Sequence, residues 1–134
     1  MSPVDSSGVL TDKEVFGKAL SAFLGMVSGE EFDHFVAYGP QSIALSGAMS
    51  DRLGKGMLVY CHGGIPEDIV GPGSRVVLVM DTFKDGENEL KVIGNIESSG
   101  CKVAKICFVK EDTSYDGRAG RRLDKYPFDC YKVV

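Results

Sequence analysis

The residues Val76 to Asn88, VVLVMDTFKDGEN, place an acid, Asp81, directly after an apolar run and ahead of a glycine-containing turn. Where such a run enters a helix, successive backbone N–H groups and the helix dipole form an anion site. Gly86 would let the backbone approach a phosphate closely, with Lys84, Asp85, Glu87 and Asn88 completing the turn. Asp81 can accept hydrogen bonds from sugar hydroxyls. The plain alternative is a strand-to-helix loop with solvated charges. His62, followed by Gly63-Gly64 at the end of another apolar run, can serve as a general base or phosphate donor, or simply as an exposed loop histidine. His34, beside Asp33, reads as a surface or strand-edge residue. Neither histidine has a serine or cysteine partner at a recognisable spacing, which disfavours a nucleophilic hydrolase. The four cysteines, Cys61, Cys101, Cys107 and Cys130, contain no C-x-x-C pair, so no metal site is expected and reduced thiols are. Cys61 ends a strand and reads as a small buried hydrophobe, with a reactive thiol as the alternative.

Elements that would position these groups follow from periodicity. Residues 1 to 10, rich in Ser, Pro and Gly, read as a tail, and residues 11 to 134 as one domain. Thr11 or Asp12 can cap a helix whose apolar residues, Val15 to Val27, recur at three- and four-residue spacing, with Gly29 after it. Phe32 to Tyr38 reads as a strand stopped by Gly39-Pro40, and Ile43 to Leu53 as a helix closed by Gly54. Met57 to Cys61 is a second strand. The run from Val76 to Met80 is apolar throughout, as in a parallel strand covered on both faces. A polar loop, DTFKDGEN, leads to a helix through Leu90 and Ile96; strands follow at Val103 to Val109 and Cys130 to Val134. Such alternation implies right-handed crossovers and an α/β fold with an open, mainly parallel five-strand sheet flanked by helices. Its ligand crevice lies beyond the carboxyl ends of the strands.

With 15 basic and 19 acidic residues the formal charge is −4, which argues against nucleic acid as a partner. The N-terminus lacks a basic start and a signal-like apolar run, and no later stretch approaches about 20 apolar residues. A cytoplasmic protein without membrane contact is expected.

The segment Val76 to Asn88, with SSGCKVAKICFVKEDTSYDGRAGRRL downstream, resembles the type I phosphoribosyltransferases, orotate phosphoribosyltransferase in particular. Their fingerprint is four apolar residues, two acids, two variable positions, Thr-Thr-Gly, one further residue, and Thr or Ser. The resemblance runs from about Gly17 to the C-terminus and is densest over Arg75 to Val109. It implies that the loop Lys84 to Asn88 holds the 5-phosphate of phosphoribosyl pyrophosphate and that Asp81 meets the ribose hydroxyls. AYGPQSIALSGAMSDRLG is similar to the family's pyrophosphate loop, which puts Gly39, Pro40, Gln41 and Ser42 on the pyrophosphate. Mg²⁺ and a homodimer are implied in the same way.

The departures are as specific. Met80 stands where the first acid belongs, Lys84-Asp85 replaces Thr-Thr, and Asn88 replaces the last hydroxyl residue. A thioether is a poor partner for a ribose hydroxyl. The connection from Cys61 to Ser74 is shorter than the family's catalytic lid and holds His62 but no lysine, and the hood over the base is expected to be absent or reduced to residues 1 to 16. Lys110, Arg118, Arg121 and Arg122 can meet a pyrophosphate, a base or a partner subunit's ligand, or remain a solvated run, and Tyr115 can stack on a base or pack its own loop. Two readings follow: a transferase moving phosphoribosyl to a nitrogen base, weak or inactive, or a non-catalytic module binding a nucleotide or phosphorylated metabolite. A flavodoxin-like or receiver-like domain is the third, and lacks the anion loops or acidic cluster it would need.

Overall fold

The computed structural model describes residues 9–61 and 71–134. Its elements run α1 (Lys13–Val27), β1 (His34–Tyr38), α2 (Pro40–Leu53), β2 (Gly56–Val59), β3 (Arg75–Phe83), α3 (Glu87–Ser98), β4 (Lys102–Glu111), the single turn α4 (Gly117–Gly120) and β5 (Phe128–Val133). The strands form one sheet in the order β2-β1-β3-β4-β5, and every neighbouring pair is parallel. This is the open five-strand sheet that the alternation of elements implies.

The central strand sorts the core by the two-residue period of extended chain. Val76, Leu78 and Met80 point to one face, where α3 supplies Val92, Ile93 and Ile96. Val77 and Val79 point to the other, against Phe23 of α1 and Leu45 and Met49 of α2. The four valine and leucine residues from Val76 to Val79 have no exposed surface at all. On β4, Val103 and Ile106 face the same side although they are three positions apart. A bulge makes this possible: Val76 pairs with Val103 but Val77 with Lys105, leaving Ala104 extra.

Helix ends follow local chemistry. Asp12 caps α1, accepting from the Glu14 and Val15 N–H groups at 2.8 and 3.2 Å. Gly54 closes α2 in the left-handed region at φ +67°. Lys105, almost buried, donates to the Met26 carbonyl at 2.6 Å and pairs with Asp129 at 2.7 Å, fastening the end of α1 to β4 and β5.

Several boundaries differ from the sequence reading. Val9, assigned to the tail, is 3% exposed and packs with α1. The first strand begins at His34 rather than Phe32, and the second ends at Val59 rather than Cys61. Asp81, Thr82 and Phe83, expected in the loop, continue β3 because β4 reaches far enough to pair with them: Thr82 lies opposite Lys110 and Phe83 opposite Glu111. Phe83 is held there by stacking on Phe108 at 5.0 Å and by an edge contact with Phe128 at 5.2 Å. Phe128 itself starts the last strand, two residues before the expected Cys130.

The Phe83–Phe108–Phe128 cluster joins three strands at the carboxyl end of the sheet. Phe108→Ala is therefore expected to lower the unfolding free energy by about 3–5 kcal/mol. Urea titration checks this, as a shifted midpoint with an unchanged slope.

Candidate functional site

After β1 the chain turns through Gly39 into Pro40, the first residue of α2. Proline has no N–H and glycine no side chain, so the start of α2 has no cap of its own, and the N–H groups of Gln41 and Ser42 need another acceptor. Asp81 supplies it from β3. Its carboxylate accepts from Ser42 N–H at 2.8 Å, Ser42 Oγ–H at 2.6 Å, Gln41 N–H at 3.3 Å and Gln41 Nε2–H at 3.4 Å. A carboxylate offers about four lone-pair positions, so these donors use its capacity. Gln41, 4% exposed, also accepts the Val9 N–H at 3.1 Å. Gly39 is required by this contact: its φ is +114°, and a Cβ there would lie 2.5 Å from Asp81 Cγ. The residues assigned to the pyrophosphate and to the ribose are thus brought together, but bonded to each other.

Three N–H groups of the turn before α3 also find acceptors within it. Glu89, 2% exposed, accepts the Gly86 N–H at 2.8 Å and the Lys84 N–H at 3.2 Å, and Asp85 accepts the Glu87 N–H at 2.9 Å. Carboxylates therefore stand where the sequence reading put a phosphate. Arg122 braces the turn from outside, donating to the Asp85 carbonyl at 2.6 Å and to Asp116 at 3.3 Å. Gly117 lies so close to this turn that a Cβ would come within 2.1 Å of the Lys84 carbonyl oxygen.

Between the two turns, at the carboxyl ends of β1 and β3, lies a cavity of about 530 Å³. This is where the strand order reverses, the usual ligand position in an open parallel sheet. Gly39, Pro40 and Gln41 line it from α2, Asp81 and Thr82 from β3, and Lys84, Asp85, Glu87 and Asn88 from the second turn. Ser42 is fully buried behind Asp81, and Gly86 is not part of the lining. His62 and the Cys61-to-Ser74 lid comparison fall largely outside the described residues. Lys91, overlooked in the sequence, lines the cavity with Lys84 and Lys110. Its signal was present: it lies four residues after Glu87, on the same side of a helix. Met80 is 2% exposed and packs with Val92 and Ile93, so it completes the core where the resemblance expects an acid.

Cationic residues after β4 are mostly spoken for. Arg118 donates to both oxygens of the buried Glu111 at 2.8 Å and lies 4.9 Å from the Phe128 ring. Arg121 pairs with Asp124 at 2.5 Å. Tyr115 is 46% exposed, with Lys84 Nζ 5.7 Å from its ring. Asp112 has its carboxyl lowered by hydrogen bonds from Ser114 and, more weakly, by Lys110 and Lys84.

Cys61, expected to be buried, is exposed and lines a smaller cavity of about 380 Å³ with Tyr38, Gly39 and Tyr60. Burial pushes the thiols of Cys107 and Cys130 up to about 12, helped at Cys130 by Glu111, and raises Cys101 by the same cause. Among the described residues no three His, Cys, Asp or Glu side chains converge on a metal position. With Asp81 committed to α2, these residues do not form a resident Mg²⁺ site.

No protein-family model matches the chain. Adenine phosphoribosyltransferase 2 of Rhizobium etli is 26% identical over 145 residues, covering 92% of this chain and 77% of that protein. The crystal structure of adenine phosphoribosyltransferase from Thermoanaerobacter pseudethanolicus superposes with a TM-score of 0.80 at 25% identity, over 94% of this chain and 84% of that one. Orotate phosphoribosyltransferase from Aeropyrum pernix gives 0.76 at 18% identity, over 93% and 74%. The chain has the phosphoribosyltransferase fold. The sequence resemblance singled out orotate enzymes; the similar curated proteins are adenine phosphoribosyltransferases, with an orotate enzyme among the structural neighbours.

Two outcomes follow from this geometry. Asp81→Ala removes the carboxylate that caps α2 and is expected to cost about 1–2 kcal/mol of stability, measured by urea unfolding. Because a raised thiol holds less thiolate at pH 8, iodoacetamide should modify Cys61 in the native protein well before Cys107 or Cys130, as read by mass spectrometry.

Proposed function

We propose that this chain binds a phosphoribosyl ligand in the cavity between Gly39–Gln41 and Lys84–Asn88 and transfers the phosphoribosyl group between pyrophosphate and a nitrogen base. The observation carrying the reading is the position of the cavity, at the strand-order reversal and between two helix starts. At about 530 Å³ it falls within the range of small-molecule sites. Adenine is the first base to test, because the similar proteins with matching coverage are adenine phosphoribosyltransferases.

In this reaction the bond from C1 of the sugar to the pyrophosphate oxygen breaks and a bond from C1 to a base nitrogen forms. Negative charge grows on the departing pyrophosphate. Donors aimed at that oxygen lower the barrier, and the start of α2 offers the Gln41 and Ser42 N–H groups for this. Asp81 holds both, so a pyrophosphate seated on α2 must displace its carboxylate. Released, Asp81 regains acceptor positions for the ribose hydroxyls, so one movement would serve both ends of the ligand. Mg²⁺ enters with the pyrophosphate as part of the substrate, in keeping with its preference for phosphate oxygens and water.

A second reading, a binding module without turnover, is favoured by Met80 in the core and by the carboxylates of Glu89 and Asp85 that hold three N–H groups of the turn at Lys84 to Asn88. Incubation with phosphoribosyl pyrophosphate and Mg²⁺, with adenine or orotate as acceptor, separates the two. Pyrophosphate release with formation of adenine nucleotide is expected. Calorimetric binding without release would establish the second reading, and neither binding nor release would overturn both.

A further inference from the structure

Building on that reading, we propose that the phosphate of the sugar ligand is held by a lysine cluster, Lys84, Lys91 and Lys110, rather than by the backbone amides of the turn before α3. Amide recognition needs N–H groups free to donate. Those of Lys84 and Gly86 already donate to the buried Glu89, and that of Glu87 to Asp85. A phosphate placed on this turn would displace or abut two carboxylates, one of them 2% exposed and held in a low-dielectric setting where like charges repel strongly.

The positive charge in the cavity comes from three different elements. Lys84 stands at the end of β3, Lys91 lies one turn into α3, and Lys110 lies near the end of β4 opposite Thr82. None makes an ion pair within 4 Å among the described residues, where the ion pairs use Lys105, Arg118, Arg121 and Arg122. Lys84 rests over the Tyr115 ring, and Asp112 is within electrostatic reach of Lys84 and Lys110. Of the acids lining the same space, Asp81, Asp85 and Glu89 direct oxygens at backbone N–H groups. Glu87 is exposed. Three lysines from separate segments line one cavity without an ion pair among the described residues, and their flexible stems can bring to a phosphate dianion the charge it requires. Such a site tolerates variation in the attached sugar or base more readily than a fixed amide cradle does.

Calorimetric titration with ribose 5-phosphate at low and moderate salt tests this directly. Lys84→Met, Lys91→Met and Lys110→Met should each weaken binding by about tenfold or more, the usual consequence of deleting a charge-assisted contact. Each should also flatten the salt dependence of the affinity. Lys110→Arg should restore most of the affinity, since it keeps the charge. Lys102→Met, at the opposite end of β4, should bind as the unaltered protein does. Far-UV circular dichroism confirms that each variant is folded. If the unaltered protein binds ribose 5-phosphate and the Lys91 and Lys110 variants bind it equally well, the lysine cluster is refuted while the proposed function stands. If the unaltered protein binds neither ribose 5-phosphate nor phosphoribosyl pyrophosphate, both fall together.

Discussion

The carboxylate of Asp81 sits on the otherwise uncapped donors at the start of α2, and much of the site's geometry depends on that contact. A helix that begins Gly-Pro can neither cap itself nor leave its first amides buried without an acceptor. Asp81 resolves this from a strand that is apolar from Val76 to Met80, and it can do so only because Gly39 has no Cβ. The same contact sets the approach of α2 to β3 and so one wall of the cavity. Gln41 extends it to Val9, tying the start of the described chain to the same point.

Alternation along β3 decides which neighbours its last residues meet. Met80 falls on the α3 face and is absorbed into the core, while Asp81 falls on the α2 face and meets helix donors. An acid at position 80 would enter a face filled by Val92, Ile93 and Phe108, where an unpaired charge is costly. Loss of one acid of the expected pair is therefore matched by a continuous apolar cluster on that side of the sheet.

Around the cavity the fold is that of the phosphoribosyltransferases, and at both helix starts N–H groups donate to the chain's own carboxylates. Fold likeness fixes where a ligand lies and leaves open which groups hold it. Here the groups at the second start are Glu89 and Asp85 facing the backbone, while Lys84, Lys91 and Lys110 are among the residues lining the space. The arginines after β4 serve structure: Arg118 neutralises a buried glutamate beneath Phe128, and Arg122 braces the turn.

Periodicity and caps made the architecture legible from the chain alone. Five apolar runs, helices bounded by Asp12, Gly54 and Gly86, and the continuous burial of Val76 to Val79 all follow from local chemistry that neighbours in sequence carry together. The crevice was legible for the same reason, since strand ends in a parallel sheet mark it. Where β3 stops was not, because Phe83 remains extended only through pairing with Glu111 and stacking on Phe108. Nor was the partner of Asp81: Gln41 lies forty residues away, and nothing in either segment names the other. Sequence by itself determined the elements, their order and the place for a ligand. Tertiary structure decided that Asp81 meets the Gln41 and Ser42 donors, because which donor finds which acceptor depends on distances across the packed sheet that no local pattern encodes.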